Sequence, residues 1–214
     1  MRFLKRISVQ LTLIVLICYL LPAMLLGFYM GGVMIGDMRS RTDTALLTSL
    51  DYSGMLAEEN LEHVVTLARA ATYDGELDGA MSRLEAGEIT QGEFLRLARN
   101  YLERKYSREA SITFAACFTA DNPDLLLANR AGANAANAYQ RTAHEAVKAM
   151  SAELDTRMRF IRVDGAMYLV RNLMNLRLRP YGMLVIGIDA EAVLAPVLDL
   201  ARQWDARLDR KSVV

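Results

Sequence analysis

RMRFIRVDGAMYLVRNLMNLRLRPYGMLVIGID, residues 157–189, holds three strand-like segments in a row. Arg157–Val163 and Ala166–Leu173 are rich in β-branched, aromatic and long apolar residues, and they flank Asp164-Gly165. That dipeptide suits a two-residue hairpin turn, because both central positions of a type I′ turn need positive φ. After the polar stretch Asn175–Pro180, Tyr181–Asp189 is apolar enough through GMLVIGI to run in the middle of a sheet. The spacing predicts an antiparallel meander.

Upstream, SITFAACFT at 111–119 has strand composition and ends in Asp121-Asn122-Pro123-Asp124, a strong turn. Leu125–Ala128 follows as a short second strand, so this pair reads as another hairpin. NRAGANAAN, 129–137, reads as a loop, or joins through its alanines the helix expected from about Ala138 to Leu154. Downstream, Ala190 starts a final helix carrying Val193, Leu194, Val197, Leu198 and Ala201 towards Trp204. Five strands with helices before, between and after them define an α+β class.

Two helices precede the sheet. Leu77–Glu85 follows the breaker Tyr73-Asp74-Gly75. Thr90–Tyr106 opens on a capping box, Thr90 with Glu93 three residues on, and buries Phe94, Leu97, Ala98, Tyr101 and Leu102. Before them, residues 37–72 contain no proline and one glycine, Gly54. Leu46, Leu50, Ala57, Leu61, Val64, Val65, Ala68 and Ala71 recur there at steps of three and four, which makes one face of a long helix. That stripe can pack on its own domain, on a second copy, or on both in different parts.

The long helix continues out of LTLIVLICYLLPAMLLGFYMGGVMI, residues 11–35, which has no charged side chain. At 1.5 Å per residue this run makes about 37 Å of helix, enough to cross a hydrocarbon core of about 30 Å. A cleaved signal peptide has a shorter apolar core and a small-residue cleavage site, so an uncleaved transmembrane anchor is expected. Arg2, Lys5 and Arg6 place the 1–10 tail in the cytoplasm and the main domain outside it, although Arg39 and Arg41 reduce the asymmetry. Gly27, Gly31, Gly32 and Gly36 form two G-x-x-x-G spacings. They either allow two helices to approach closely or reflect the ordinary glycine content of membrane helices. Pro22 is expected to soften the helix near its middle.

The 214 residues carry 25 basic and 25 acidic side chains, so bulk charge offers no argument for a nucleic-acid partner. Cys18 lies in the apolar run and Cys117 in a later strand, which leaves them unpaired. Catalysis needs a nucleophile with a base, paired carboxylates or a metal cluster. His63 and His144 are the only histidines, and the nucleophile-elbow, P-loop and dinucleotide glycine patterns are absent. No catalytic residue, metal ligand or cofactor is therefore assigned. His63, beside the helical stripe, reads as a packing or surface residue.

Residues 167–190, MYLVRNLMNLRLRPYGMLVIGIDA, resemble the end of the extracytoplasmic sensor of bacterial membrane histidine kinases. There an aromatic strand with an arginine leads through a basic, proline-containing turn into a glycine-led apolar strand. SITFAACFT with DNPDLLLAN resembles the earlier hairpin of the same sensors. The resemblance covers most of 37–204 and implies a PAS-like fold of the Cache type. Such a fold has a long first helix, a central antiparallel sheet and a small-molecule pocket between the sheet and the loops over it. It also implies a membrane-bound homodimer through the long and transmembrane helices, and a small-molecule ligand or an extracytoplasmic protein as partner. The same sensor serves chemoreceptors and diguanylate cyclases, and a membrane-anchored, protein-binding scaffold is the reading from a different class. Residues 205–214, DARLDRKSVV, hold no second membrane-length run and no kinase motif. The expectation is a segment cut within its sensor, with a complete single-pass protein as the alternative.

Arg171 is the first ligand-binding candidate: a guanidinium inside an apolar strand needs a carboxylate or a ligand anion if it faces inwards. The alternatives are a solvent-facing side chain or a structural ion pair. Tyr168, three residues earlier, faces the other side of an ideal strand; Phe114 and Phe118 share one face and Cys117 has the other. Asn129, Arg130 and Asn134 belong to a loop suited to closing over a pocket, with Tyr139 at its edge.

Overall fold

The computed structural model describes residues 2–119, 126–128, 133–175, 177 and 179–211. Its contacts divide the chain into two units, Met1–Tyr52 and Ser53–Val214. Helix α1, Arg2–Tyr73, is the element common to both.

Within the first unit, α1 holds the one stretch among the described residues that is long and apolar enough to cross a membrane, with a mean hydropathy of 1.8. Pro22 lies inside the helix and does not end it. In the polar part, the hydroxyls of Thr42, Thr44, Thr48 and Ser49 each donate to the carbonyl four residues back at 2.8 Å. Hydroxyls that compete with helical bonds elsewhere are satisfied here within the helix.

In the second unit, α1 is followed by α2 (Glu76–Glu85), α3 (Gln91–Tyr106), β1 (Ile112–Thr119), β2 (Leu126–Ala128), α4 (Ala133–Thr142), α5 (His144–Ala149) and α6 (Ser151–Leu154). Then come β3 (Met158–Val163), β4 (Ala166–Met174), β5 (Pro180–Ile188) and α7 (Ala190–Lys211). The α+β class is the one expected. The strands form one antiparallel sheet in the order β2-β1-β5-β4-β3. The β3–β4 turn has Asp164 at φ 50° and Gly165 at φ 82°, the two positive values that a type I′ turn requires.

Side chains alternate across this sheet and build two cores. On one face Ala115, Cys117, Leu169, Leu173, Leu184 and Ile186 pack under Val64, Ala68 and Ala71 of α1, with Leu77 of α2 and Phe94, Tyr101, Leu102 and Tyr106 of α3. On the other, Phe114, Ala116, Phe118, Tyr168, Val170, Met183 and Val185 pack against Ala136, Tyr139, Ala143, Val147 and Leu154 from α4 to α6. Gly187 is required at its place in β5, because a Cβ there would lie 2.4 Å from the Phe114 ring. A Cβ at Gly182 would lie 2.6 Å from the Phe118 carbonyl oxygen, so β1 and β5 close up only without one.

The helical stripe divides along α1. Ala57, Val64, Ala68 and Ala71 are buried in the second unit, whereas Leu46 is half-buried and Leu50 is exposed. Thr90 caps α3 as expected: its hydroxyl accepts from Glu93 N at 3.3 Å, and its own N–H donates to the Glu93 carboxylate at 2.8 Å. Those bonds hold the Glu93 carboxyl below its ordinary range. Residues 133–154 form three short helices rather than one. The alanines at 133, 135 and 136 start α4 ahead of the expected Ala138, in keeping with alanine's high helix propensity. α7 runs past Trp204 to Lys211, its first turn capped by Asp189 Oδ1, which accepts from the backbone of Glu191 and Ala192 at 3.1 Å.

Candidate functional site

Arg171 sits in mid-β4, opposite Leu184 of β5 and Met158 of β3. By strand alternation it shares the face of Leu169 and Leu173, so its side chain enters the core on the α1 side. It is 4% exposed, its Nε is buried without a partner, and no ion pair or hydrogen bond to it is found among the described residues. Its guanidinium carbon lies 5.3 Å from the centre of the Tyr73 ring, a cation–π contact with the last residue of α1. Neither a solvent-facing arginine nor a structural ion pair describes it.

Three further buried polar atoms among the described residues lack partners: Thr72 Oγ1, Asp78 Oδ1 and the Tyr181 hydroxyl. Thr72 is the penultimate residue of α1, Asp78 lies in the first turn of α2, and Tyr181 is the second residue of β5. Tyr181 would alternate to the opposite face, but the register slips between Leu173 and Met174 and its ring packs in the α1-side core. Arg171 and Tyr181 thus enter the α1-side core from the sheet, and Thr72 and Asp78 lie on either side of the α1–α2 junction.

Burial dominates the titration of the phenols in this layer. Burial pushes the Tyr181 phenol far up, and Cys117, Asp78 and Asp74 add to it. Burial likewise raises Tyr106, Asp74 and Cys117 reinforce the rise, and Arg171 works against it. The Cys117 thiol is pushed up to about 12 by burial, so it is a packing residue rather than a nucleophile. Asp74 is already engaged: one oxygen accepts from Tyr101 at 2.6 Å and pairs with Lys105 at 3.4 Å, and the other accepts from Glu76 N at 3.3 Å. Asp78, 7% exposed, has no such neighbours on Oδ1.

Tyr139 lies on the far side of the sheet from Arg171, fully buried in the second core. Its ring is 5.3 Å from Phe114 and 5.4 Å from Tyr168, and its hydroxyl is 3.2 Å from His144 Nδ1. His144 in turn meets Phe118 edge-on at 5.1 Å. The sheet therefore separates Tyr139 from Arg171. Asn129 and Arg130 lie outside the described residues. Asn134 lines a shallow cleft of about 390 Å³ on α4 with Asn137, Gln140 and Arg141. His63 is a surface residue, its Nε2 3.1 Å from Glu109.

Sequence periodicity pointed to Arg171 but not to Asp78 or Thr72. An acid in a first helical turn and a threonine at a helix end both have ordinary roles there. The signal for them was position: they bracket the breaker Tyr73-Asp74-Gly75. Gly75 takes φ 73°, which a side chain would resist, and turns the chain between α1 and α2.

No known family pattern matches this sequence, and no curated protein matches it. Among solved structures, the chain is similar to the periplasmic domain of LuxQ from Vibrio cholerae at 12% identity and a TM-score of 0.40, over 71% of this chain and 69% of that one.

Proposed function

We propose that this chain is the sensing region of a membrane-bound signalling protein, with its α+β domain outside the cytoplasm and α1 as both anchor and relay. A sensor histidine kinase is the parent favoured by the resemblance of residues 167–190. The observation that carries the reading is a single helical element, Arg2–Tyr73, which supplies the membrane-length apolar run at one end and core residues Val64, Ala68 and Ala71 at the other. A change in the core has that helix as its route to the bilayer. The exposed apolar residues Leu47 and Leu50 supply a seam for a second copy, so the working form is proposed as a homodimer.

The anchoring is tested by two-sided thiol labelling of cells. In a chain with Cys18→Ser and Cys117→Ala, a membrane-impermeant maleimide should label Ala86→Cys in intact cells and Ser8→Cys only after permeabilisation. Labelling of both positions from the same side would contradict the topology.

A further inference from the structure

We propose that the outer edge of β3 takes up an extended, acidic segment of another protein as a further strand of the sheet. This goes beyond the sensing role above and does not depend on it.

β3 is the last strand of the sheet and pairs with β4 alone. Val163 and Ala166 are the pair that closes the two-residue turn, and in such a hairpin that pair exchanges both backbone bonds. Bonded and non-bonded pairs alternate along an antiparallel ladder, so Val163, Ile161 and Arg159 direct their backbone to β4. Met158, Phe160 and Arg162 then direct their N–H and C=O groups outwards. Among the described residues, no backbone group outside the ladder meets any of these three.

An open edge is a template for another strand, and charged side chains are one way of blunting it. β3 carries charge of one sign: residues 157–163 hold Arg157, Arg159 and Arg162 and no acid. All three arginines are exposed. Arg159 reaches Glu153 only at 3.9 Å, with both side chains more than half exposed. Among the described residues, the Arg157 and Arg162 side chains have no ion pair or hydrogen bond. Blunting alone does not call for an aromatic ring at the centre of the edge, yet Phe160 stands there, 42% exposed, on the face of its β4 partner Leu169. Met167, 37% exposed, is the β4 partner of Arg162 on that same face. The register thus sets outward backbone groups, an apolar platform and unpaired guanidinium groups along one strand.

The charge selects the occupant. A second copy paired edge to edge would bring the three arginines of each chain into one seam without an acid, and like charges on adjoining strands are destabilising. An incoming strand with an apolar side chain beside Phe160 and carboxylates beside Arg159 and Arg162 matches every position, because carboxylate and guanidinium pair with good geometry. In strand addition of this kind the backbone bonds supply affinity and the alternate side chains supply selectivity.

The test titrates the full chain in detergent against fluorescein-labelled peptides of about eight residues, read by fluorescence anisotropy at about 0.15 M salt. One peptide alternates valine with glutamate and a second alternates valine with lysine. The third is the glutamate peptide with every backbone nitrogen methylated, so that it keeps its charge and cannot donate to a strand. The glutamate peptide is expected to saturate and to bind at least about tenfold more tightly than either of the others. Arg159→Glu with Arg162→Glu should weaken it at least about tenfold and bring the lysine peptide at least to parity. Arg96→Glu with Arg99→Glu, an equal change of charge on α3, should alter binding less than about twofold. Phe160→Thr, which keeps the charges and the strand propensity, should weaken the glutamate peptide at least about threefold. The proposal is overturned if the glutamate peptide does not saturate below about 1 mM or if the methylated peptide binds as well. It is also overturned if the β3 variants bind as the parent chain does, or if affinity falls as the chain is concentrated, which would put a second copy on this edge.

Discussion

Tyr139→Ala is expected to cost about 3–5 kcal/mol of unfolding free energy. Tyr139 is fully buried, and its ring is the hub of an aromatic group: Phe114, Tyr168 and His144 lie 5.3, 5.4 and 5.7 Å from its centre. Alanine removes that ring, leaves a cavity between α4 and the sheet, and deprives His144 Nδ1 of its partner. Tyr139→Phe keeps the ring and should cost only about 1–2 kcal/mol, the loss of one buried hydrogen bond. Urea titration of the full chain in detergent, read by Trp204 fluorescence, measures both. If Tyr139 instead lined an open pocket, its truncation would cost less than about 1 kcal/mol and the two variants would be alike.

Arg171→Met should act in the opposite direction, stabilising the ligand-free chain by about 1–4 kcal/mol. Replacing a buried charge by an apolar residue of similar volume removes a desolvation cost, and among the described residues no anionic partner is left behind. Methionine also fills the space that the arginine stem occupied between Tyr73 and the sheet. The same urea titration decides it. A loss of more than about 1 kcal/mol would mean that the guanidinium is paired in the folded protein. A gain in stability is the pattern of a residue kept for something other than the fold.

The parts of this fold that are legible in the sequence are those fixed by neighbours. Asp164-Gly165 sets a turn by backbone conformation alone, and Thr90 with Glu93 sets a helix start by two local hydrogen bonds. Alternation correctly put Phe114 and Phe118 on the face opposite Cys117, and Tyr168 on the face opposite Arg171. The parts that were not legible depend on distant partners. Nothing near Ile112–Thr119 says that it pairs with Pro180–Ile188, which puts it between β2 and β5. The slip between Leu173 and Met174 sends Tyr181 to a face that strict alternation denies it. The apolar stripe of α1 reads as continuous, yet Ala57 is buried and Leu50 is not, because the core begins partway along the helix. For the site, Arg171 stood out as a charge inside an apolar strand, while Asp78 and Thr72 gained meaning only once α1, α2 and the sheet were brought together. Tyr139 and Arg171, both chosen as ligand candidates, sit on opposite faces.

The most direct test of the account joins its two ends, the buried Arg171 and the helix with the membrane-length apolar run. Single cysteines at Leu46, Leu47 and Leu50, in a chain with Cys18→Ser and Cys117→Ala, are oxidised in native membranes with Arg171 intact and with Arg171→Met. The account predicts a disulfide-linked dimer whose yields along the three positions change at least about threefold between the two chains, a modest coupling of under 1 kcal/mol. Yields that are the same in both, or no dimer at any position, would contradict it.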